Sequence, residues 1–374
     1  MIKLRFNYMF KLIASTLAFS SVILLSACGG SSSSLSTGNN ELNLAAKEII
    51  DNTIIPGSNR FQQQVSSLVS DSSNFCGADN QTAENLTIIQ NQWIDTNLAW
   101  FELLPYLFGP MVNSEVLPTY IFIDYHRQRG DDDTAVIRGN IDNLIVSATD
   151  EDYELALSRL GANSLGLLAL EIAVFEDAVN QSIIAADILL EFQNTPRKCQ
   201  LLIDLGNKLL VRANEIQQGW TINYRNTGKS YRDLVINNQL ETFLDDDSGE
   251  SAIKKITISI QEFYDYLGKR NVTNNVAQLS NSIWTALDNS LSSTEELLAG
   301  TDATDVSLNR IMSNNRFDQT VTLLNDNIAT LRASLVENNS IDMVAAAKAL
   351  DGNFKREVPE ALNINLGLNF SDGD

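Results

Sequence analysis

The chain has 374 residues, of which 44% are hydrophobic and 20% charged, and its formal net charge is −21. This composition is typical of a globular protein with a sizeable core and excludes wholesale disorder. Because an acidic surface is repelled by phosphate backbones, we expect no nucleic-acid partner.

The amino terminus has the pattern of a bacterial lipoprotein leader. Basic residues precede an apolar stretch that ends in Leu25–Cys28, which resembles a lipobox. Residues 1–27 are therefore predicted to be a signal peptide, and Cys28 the lipidated first residue of the mature protein. A transmembrane anchor is the alternative, although the stretch is short for a span. Residues 28–40, rich in Ser and Gly, predict a flexible linker, and the absence of Asp after Cys28 favours the outer membrane, facing the periplasm.

Apolar residues recur at three- and four-residue spacing along most of the remaining chain, which indicates amphipathic helices. The first predicted helix covers 41–73, with a kink or break at Ile55–Gly57, and the second covers 82–108. Residues 111–149 are the least regular. Further helices are predicted near 150–160, 165–177, 181–192 and from Thr195 to about Trp220.

The looser stretch Asn223–Asp233 separates a second series of predicted helices. These lie near 249–268, 275–299, 303–312, 315–337 and 340–350. Few segments alternate with a period of two, so the predicted fold class is all-α. The simplest organisation is two packed helical bundles, an N-terminal half over 41–225 and a C-terminal half over 226–374.

Two cysteines, Cys76 and Cys199, remain beyond the predicted lipidation site. An oxidising envelope location favours a disulfide between them, which would close a long loop. Two unpaired buried thiols are the alternative.

The search for catalytic motifs is mostly negative. There is no P-loop, no GxGxxG motif before a helix and no GxSxG elbow. The single histidine, His126, excludes HExxH and any site of several histidines, and it is interpreted as a surface or packing residue. A metal site would need carboxylates, but the acidic runs Asp131–Thr134 and Asp245–Glu250 are more typical of solvated loops or helix starts.

Four stretches together resemble the imelysin-like family, also called the insulin-cleaving membrane protease or M75 peptidase family. They are Gln92–Pro110 with its paired tryptophans, Arg197–Trp220, Asn274–Gly300 and Glu357–Asp374. The resemblance covers about residues 41–374. It implies an all-helical fold of two bundle-like halves with a cleft between them.

The signature of that family is Gly-x-His-x-x-Glu on a helix that lines the cleft, and the matching stretch is Gly166–Glu171. A His and a Glu three residues apart share a helix face and can hold one metal ion together. Here Leu168 occupies the histidine position, and leucine neither binds a metal nor carries a proton. The roles that the resemblance implies, bacterial iron acquisition and peptidase activity, are weakened to the extent that they need the histidine.

Glu171 remains the candidate ligand or metal residue of this motif. As a functional residue it would contact a ligand, or a divalent cation such as iron, with help from other oxygens. As a structural residue it would be satisfied by an arginine or by backbone amides, or would reach the solvated edge of its helix. Four residues are candidates for lining the cleft: Trp93, Trp100, Ser280 and Ser282. Tryptophans at helical spacing are more often core, and N-capping would explain either serine.

Three functions are consistent with these features. The leading one is a non-catalytic, lipid-anchored envelope protein that binds a ligand or metal and assists the uptake of iron or another nutrient, together with an outer-membrane partner. The second is a metallopeptidase-like enzyme that uses Glu171. The third is a structural or interaction lipoprotein that has lost the metal site. We assign no catalytic residue.

Overall fold

The computed structural model describes residues 33–112, 117–129, 134–178, 180–244, 250–303 and 305–367. Within these ranges the chain is helical and has no strand, so the predicted all-α class is confirmed. No helix in this part of the chain combines the length and apolar character needed to cross a membrane. The predicted signal peptide and Cys28 lie outside the described residues.

The helices of the first series are α1 Ser33–Ile49, α2 Ile55–Phe75, α3 Ala83–Leu103, α4 His126–Arg129, α5 Thr134–Ile145, α6 Asp150–Ser158, α7 Leu167–Phe175, α8 Ala185–Asn194 and α9 Pro196–Thr221. A π-helix, Ile50–Ile54, joins α1 to α2, and 3-10 turns cover Leu104–Tyr106, Gly109–Val112, Thr119–Phe122 and Ala162–Ser164.

The second series consists of α10 Tyr231–Ile236, α11 Leu240–Leu244, α12 Ala252–Lys269, α13 Val272–Asn275, α14 Ile283–Ala299, α15 Leu308–Asn314, α16 Asp318–Val336, α17 Ser340–Lys355 and α18 Glu357–Leu362.

Two differences from the predicted boundaries have local reasons. Of the kink or break predicted at Ile55–Gly57, the break does not occur, because the π-helix leads directly into α2 and Pro56 lies in the first turn of that helix. The helix predicted over 275–299 begins only at Ile283. Ala277 and Asn281 adopt positive φ angles of 50° and 52°, which a right-handed helix does not contain.

Helix α2 packs against both α3 and α9, while α12 and α16 pack against α17. A disulfide between Cys76 and Cys199, with Cα atoms 5.5 Å apart, joins the end of α2 to the first turns of α9. Helix α14 lies on α3 and α1 on α12, so one hydrophobic core runs through both series. The division of the chain at residue 225 stays a prediction.

Candidate ligand site around Glu171

The start of α7 is fixed by a close backbone approach at Gly166. A Cβ atom placed on this glycine would lie only 2.2 Å from the carbonyl oxygen of Ile123. The next residue, Leu167, donates its backbone N–H to the same oxygen at 2.9 Å. Glycine is therefore required here for packing, because it lets the segment after the 3-10 turn Thr119–Phe122 cross the first turn of α7.

Glu171 lies in the middle of α7, and its side chain is almost completely removed from solvent, with 1% exposed. The Oε1 atom accepts two hydrogen bonds from Ser280, one from the backbone N–H at 2.9 Å and one from the hydroxyl at 2.8 Å. The Oε2 atom is buried and has no hydrogen-bond partner among the described residues. Glu171 is thus half satisfied, and the prediction that it reaches a solvated helix edge is wrong.

Ser280 belongs to a short polar chain that links α7 to α3. Its hydroxyl oxygen lies 2.9 Å from that of Ser282, which accepts a hydrogen bond of 3.4 Å from the Nδ2 atom of Asn97. Ser282 precedes α14, yet its side chain makes no capping hydrogen bond to that helix. The serines therefore position Glu171 instead of capping a helix.

Burial raises the pKa of Glu171 to about 7, because desolvation penalises the charged form. The hydrogen bonds from the Ser280 backbone and hydroxyl act in the opposite direction, as does the charge of Arg138. Arg138 is nevertheless not the direct partner of Glu171. Its guanidinium makes two hydrogen bonds of 2.6 Å to Glu176. Near neutral pH, Glu171 therefore exchanges between a protonated and an ionised form.

Glu171 lines a cavity with a volume of about 30 Å³, or about 580 Å³ when all unfilled space up to its open mouth is included. About 30 Å³ of this space admits the centre of a water-sized group, which is room for roughly two or three water molecules. The walls come from separate parts of the chain: Trp93, Asn97, Phe101, Ile123–His126, Ile137, Ala162, Asn163, Gly166–Leu168, Glu171 and Asn275–Ala277.

The described wall of the cavity contains carboxylates but no lysine or arginine side chain. Among the described residues that line it, two are carboxylates, Asp124 and Glu171. The Oδ1 atom of Asp124 accepts from the Arg127 backbone, and its Oδ2 atom accepts from the indole N–H of Trp100, both at 3.3 Å. The Oε2 atom of Glu171 makes no hydrogen bond among the described residues and is therefore a carboxylate oxygen that can accept one from a ligand.

The two tryptophans proposed for the cleft have different positions. Trp93 lies in the cavity wall, where its indole N–H donates to the Leu167 carbonyl at 3.0 Å. Trp100 does not line the cavity. It is fully buried against Phe61, with ring centroids 5.3 Å apart, as the core interpretation predicts.

His126 is the residue that the sequence did not connect with this site. It is buried in the cavity wall, and its Nδ1 atom lies 2.9 Å from the Tyr266 hydroxyl on α12. The packing interpretation fits this burial, whereas the surface interpretation does not. The distance of 45 residues from Glu171 along the chain gave no local pattern that could join the two.

The surroundings of Glu171 do not fit the metal ion that the family signature would hold. Leu168 lies in the cavity wall at the position of the motif histidine and offers no donor atom. Within the described part of the chain, no three His, Cys, Asp or Glu residues form a group that could hold a metal ion. Most of both acidic runs, residues 131–133 and 245–249, lies outside the described ranges. We therefore derive no chemical step through a metal.

Comparison with known proteins finds a family and a solved structure to which this chain is similar. The sequence model of the family described as Imelysin (Peptidase_M75) matches residues 54–361, more than half of the chain. The crystal structure of an imelysin-like protein from Psychrobacter arcticum 273-4 superposes with a TM-score of 0.62 at 15% sequence identity. The match covers 88% of this chain and 98% of that one, and at this identity it shows the fold alone. No curated protein sequence matches the chain.

Proposed function

Since the chain belongs to the imelysin family, we propose that it is a non-catalytic, lipid-anchored protein of the bacterial cell envelope that binds a small solute and assists the uptake of iron or another nutrient. The solute would bind in the cavity around Glu171. An outer-membrane uptake protein would be its partner.

One observation carries the binding role. The Oε2 atom of Glu171 is buried in the cavity wall and has no hydrogen-bond partner among the described residues. An unsatisfied buried oxygen costs about 1–3 kcal/mol or more, so a fold keeps one where something else provides the partner. A bound solute would satisfy this oxygen and recover that cost.

The absence of catalysis is supported by the walls and the size of the cavity. Leu168 replaces the residue that would help to bind a metal or carry a proton. The space beside Glu171 that admits the centre of a water-sized group is only about 30 Å³, which is small for a polypeptide segment. One feature favours the peptidase alternative, namely that the pKa of Glu171, at about 7, matches that of a general base.

The envelope location is supported by the leader pattern before Cys28 and by the disulfide between Cys76 and Cys199, which suits an oxidising compartment. Fatty-acid labelling of cells that express the full chain tests the anchor. We expect label on the wild-type protein and none on Cys28→Ala.

The binding role is tested by mass spectrometry of the small molecules released from natively purified protein. We expect a solute near one equivalent in the wild type and its loss in Leu168→Phe, which fills the cavity. Purified wild-type protein is expected to leave unfolded casein intact. Chelator-sensitive cleavage that Glu171→Gln abolishes would instead establish the peptidase, and wild-type protein free of any solute would contradict the binding role.

A further inference from the structure

We infer that the cavity around Glu171 binds a small organic ammonium ion in place of a metal ion. This inference rests on the proposed solute-binding function and names the chemical class of the solute.

The charge of the cavity favours a cationic ligand. Its described wall contains two carboxylates and no lysine or arginine, and the chain as a whole carries a net charge of −21. Each oxygen of Asp124 already accepts one hydrogen bond, whereas the Oε2 atom of Glu171 accepts none. A cation is attracted to such a cavity, and an ammonium N–H can donate a charge-assisted hydrogen bond to the Oε2 atom.

The apolar character of the wall favours an organic cation over an inorganic one. Trp93, Phe101 and Tyr125 place aromatic side chains around the same cavity as Glu171, and Leu168 adds an aliphatic one. Aromatic faces attract ammonium groups by cation–π interaction, and the alkyl part of an organic cation packs against apolar side chains. An inorganic divalent cation gains nothing from these surfaces.

The number of metal-binding side chains near Glu171 also favours an ammonium ion over a divalent cation. A divalent cation binds through several oxygen or nitrogen ligands at short distances, whereas the Oε1 atom of Glu171 is already held by Ser280. No group of three metal-binding side chains is present in the described ranges. An ammonium ion needs only hydrogen-bond acceptors, which Glu171 and the amide side chains of Asn97 and Asn275 in the wall can provide.

The size of the cavity limits the ligand. The space of about 30 Å³ that admits the centre of a water-sized group suits an ion of two to four non-hydrogen atoms, such as methylammonium, ethylammonium or propylammonium. A longer amine would have to extend into the open part of the cavity, whose total unfilled space is about 580 Å³.

The affinity should depend on pH, because the cation favours ionised Glu171 and a proton must leave the protonated fraction. Several other charged groups face this part of the molecule. Arg138 on α5 is paired with Glu176 at the end of α7, and Asp124 and His126 line the opposite wall. Protonation of Glu171 removes the charge that attracts the cation, which predicts weaker binding at acidic pH.

The test is isothermal titration of the full chain with methylammonium, ethylammonium and propylammonium chlorides. Ethanol and propanol are the neutral controls of matching shape, and Zn²⁺, Fe²⁺ and Ca²⁺ are the metal controls. We expect the ammonium ions to bind at least about tenfold more tightly than the alcohols, because only the ammonium ions form a charge-assisted hydrogen bond with the Glu171 carboxylate. We also expect proton release at pH 7, seen as a heat that depends on the buffer.

Glu171→Gln should weaken ammonium binding at least about tenfold, whereas the exposed control Glu337→Gln should not change it. Leu168→Phe keeps the carboxylate but fills the cavity, and it should also lose binding. Circular dichroism of each variant confirms that it is folded.

Equal binding of alcohols and ammonium ions, or binding of a divalent metal that depends on Glu171, would overturn the inference. If a neutral or anionic solute is found in natively purified protein, the solute-binding function stands and the ammonium class is wrong. If the purified protein holds no solute and binds none of the probes, both proposals fail.

Discussion

Two buried carboxylates, Glu171 in α7 and Glu191 in α8, differ in how many of their oxygens have hydrogen-bond partners. Glu191 accepts hydrogen bonds from the Ala178 backbone at 3.1 Å on both oxygens, and it forms a salt bridge with the buried ammonium group of Lys198. Lys198 also donates to the Glu176 carbonyl at 2.8 Å. Glu171 has donors on one oxygen only.

The difference separates a structural acid from a candidate site. The cluster of Glu191 and Lys198 ties the chain after α7 to α8 and α9, and every charged atom in it has a partner. Desolvation lowers the pKa of Lys198, while the nearby carboxylates act against this effect. Glu171 has no comparable cation, so burial dominates its pKa. Glu191, the structural acid, thus has partners on both carboxylate oxygens. Glu171, which has one oxygen without a partner among the described residues, lies in a cavity wall.

The largest expected effect comes from breaking the structural cluster. Lys198→Met removes the cation and leaves Glu191 buried without its charge partner, which typically costs about 3–5 kcal/mol of the free energy of unfolding. Denaturant titration measures it. Lys208→Met, a less buried change on the same helix, is the matched control and should cost under about 1 kcal/mol. Equal stability of Lys198→Met and wild type would show that the cluster is not structural.

The ionisation of Glu171 should lower the free energy of unfolding as the pH rises. Its pKa is raised from 4.5 to about 7 in the folded protein, so the folded state binds the proton more tightly than the unfolded state does. This contribution is fully present below pH 4.5 and is lost as the pH rises through 7, a change on the order of 3 kcal/mol.

The measurement is a series of chemical denaturations between pH 4.5 and pH 8, compared with Glu171→Gln. The amide cannot ionise, so this share of the pH dependence should disappear in the variant. Glu337→Gln, at an exposed position, should follow the wild type. An unchanged pH profile in Glu171→Gln would mean that Glu171 does not titrate in this range.

Gly166→Ala tests the close approach that places α7 beside the cavity. The new methyl group would meet the Ile123 carbonyl at 2.2 Å, so the backbone must move, at an expected cost of about 1–3 kcal/mol. At Gly139 in α5 an added Cβ meets nothing within 4 Å, so Gly139→Ala should be neutral or slightly stabilising. Thermal unfolding of both variants checks the difference, and similar melting temperatures would contradict it.

The smallest effect on stability is expected from Leu168→His, at under about 1.5 kcal/mol, because Leu168 is only half-buried. Its effect on binding should be clearer. The imidazole restores the signature three residues before Glu171, and we expect Zn²⁺ to bind at least about tenfold more tightly than in the wild type. Wild-type protein that binds Zn²⁺ as tightly as Leu168→His would show that the natural chain has kept a metal site, and a variant that binds no Zn²⁺ would contradict the prediction.

The features that the sequence predicted are those encoded in local patterns. Apolar spacing located most helices, and the predicted membership of the imelysin-like family is confirmed by the family match. The predicted end of the second helix at Phe108 was late, because the α-helix stops at Leu103 and a 3-10 turn with Pro105 follows. The periodicity continues across that change, so it could not reveal it.

The surroundings of Glu171 could not be predicted, because they depend on contacts between distant parts of the chain. Ser280, which donates both its backbone N–H and its hydroxyl to Glu171, is 109 residues away. His126 and Asn275 enter the same cavity from segments with no shared motif. The sequence could only offer alternatives for Glu171, and the three-dimensional arrangement was needed to separate its satisfied oxygen from its open one.

The most direct test of this account is an NMR titration of the Glu171 side-chain carboxyl carbon, with and without ethylammonium. We predict a pKa of about 7 for the free protein, set by burial, and a clear decrease when the cation binds. A pKa close to 4.5 in the free protein, or one that ethylammonium leaves unchanged, would contradict the claim that Glu171 is a buried carboxyl group that binds a cationic ligand.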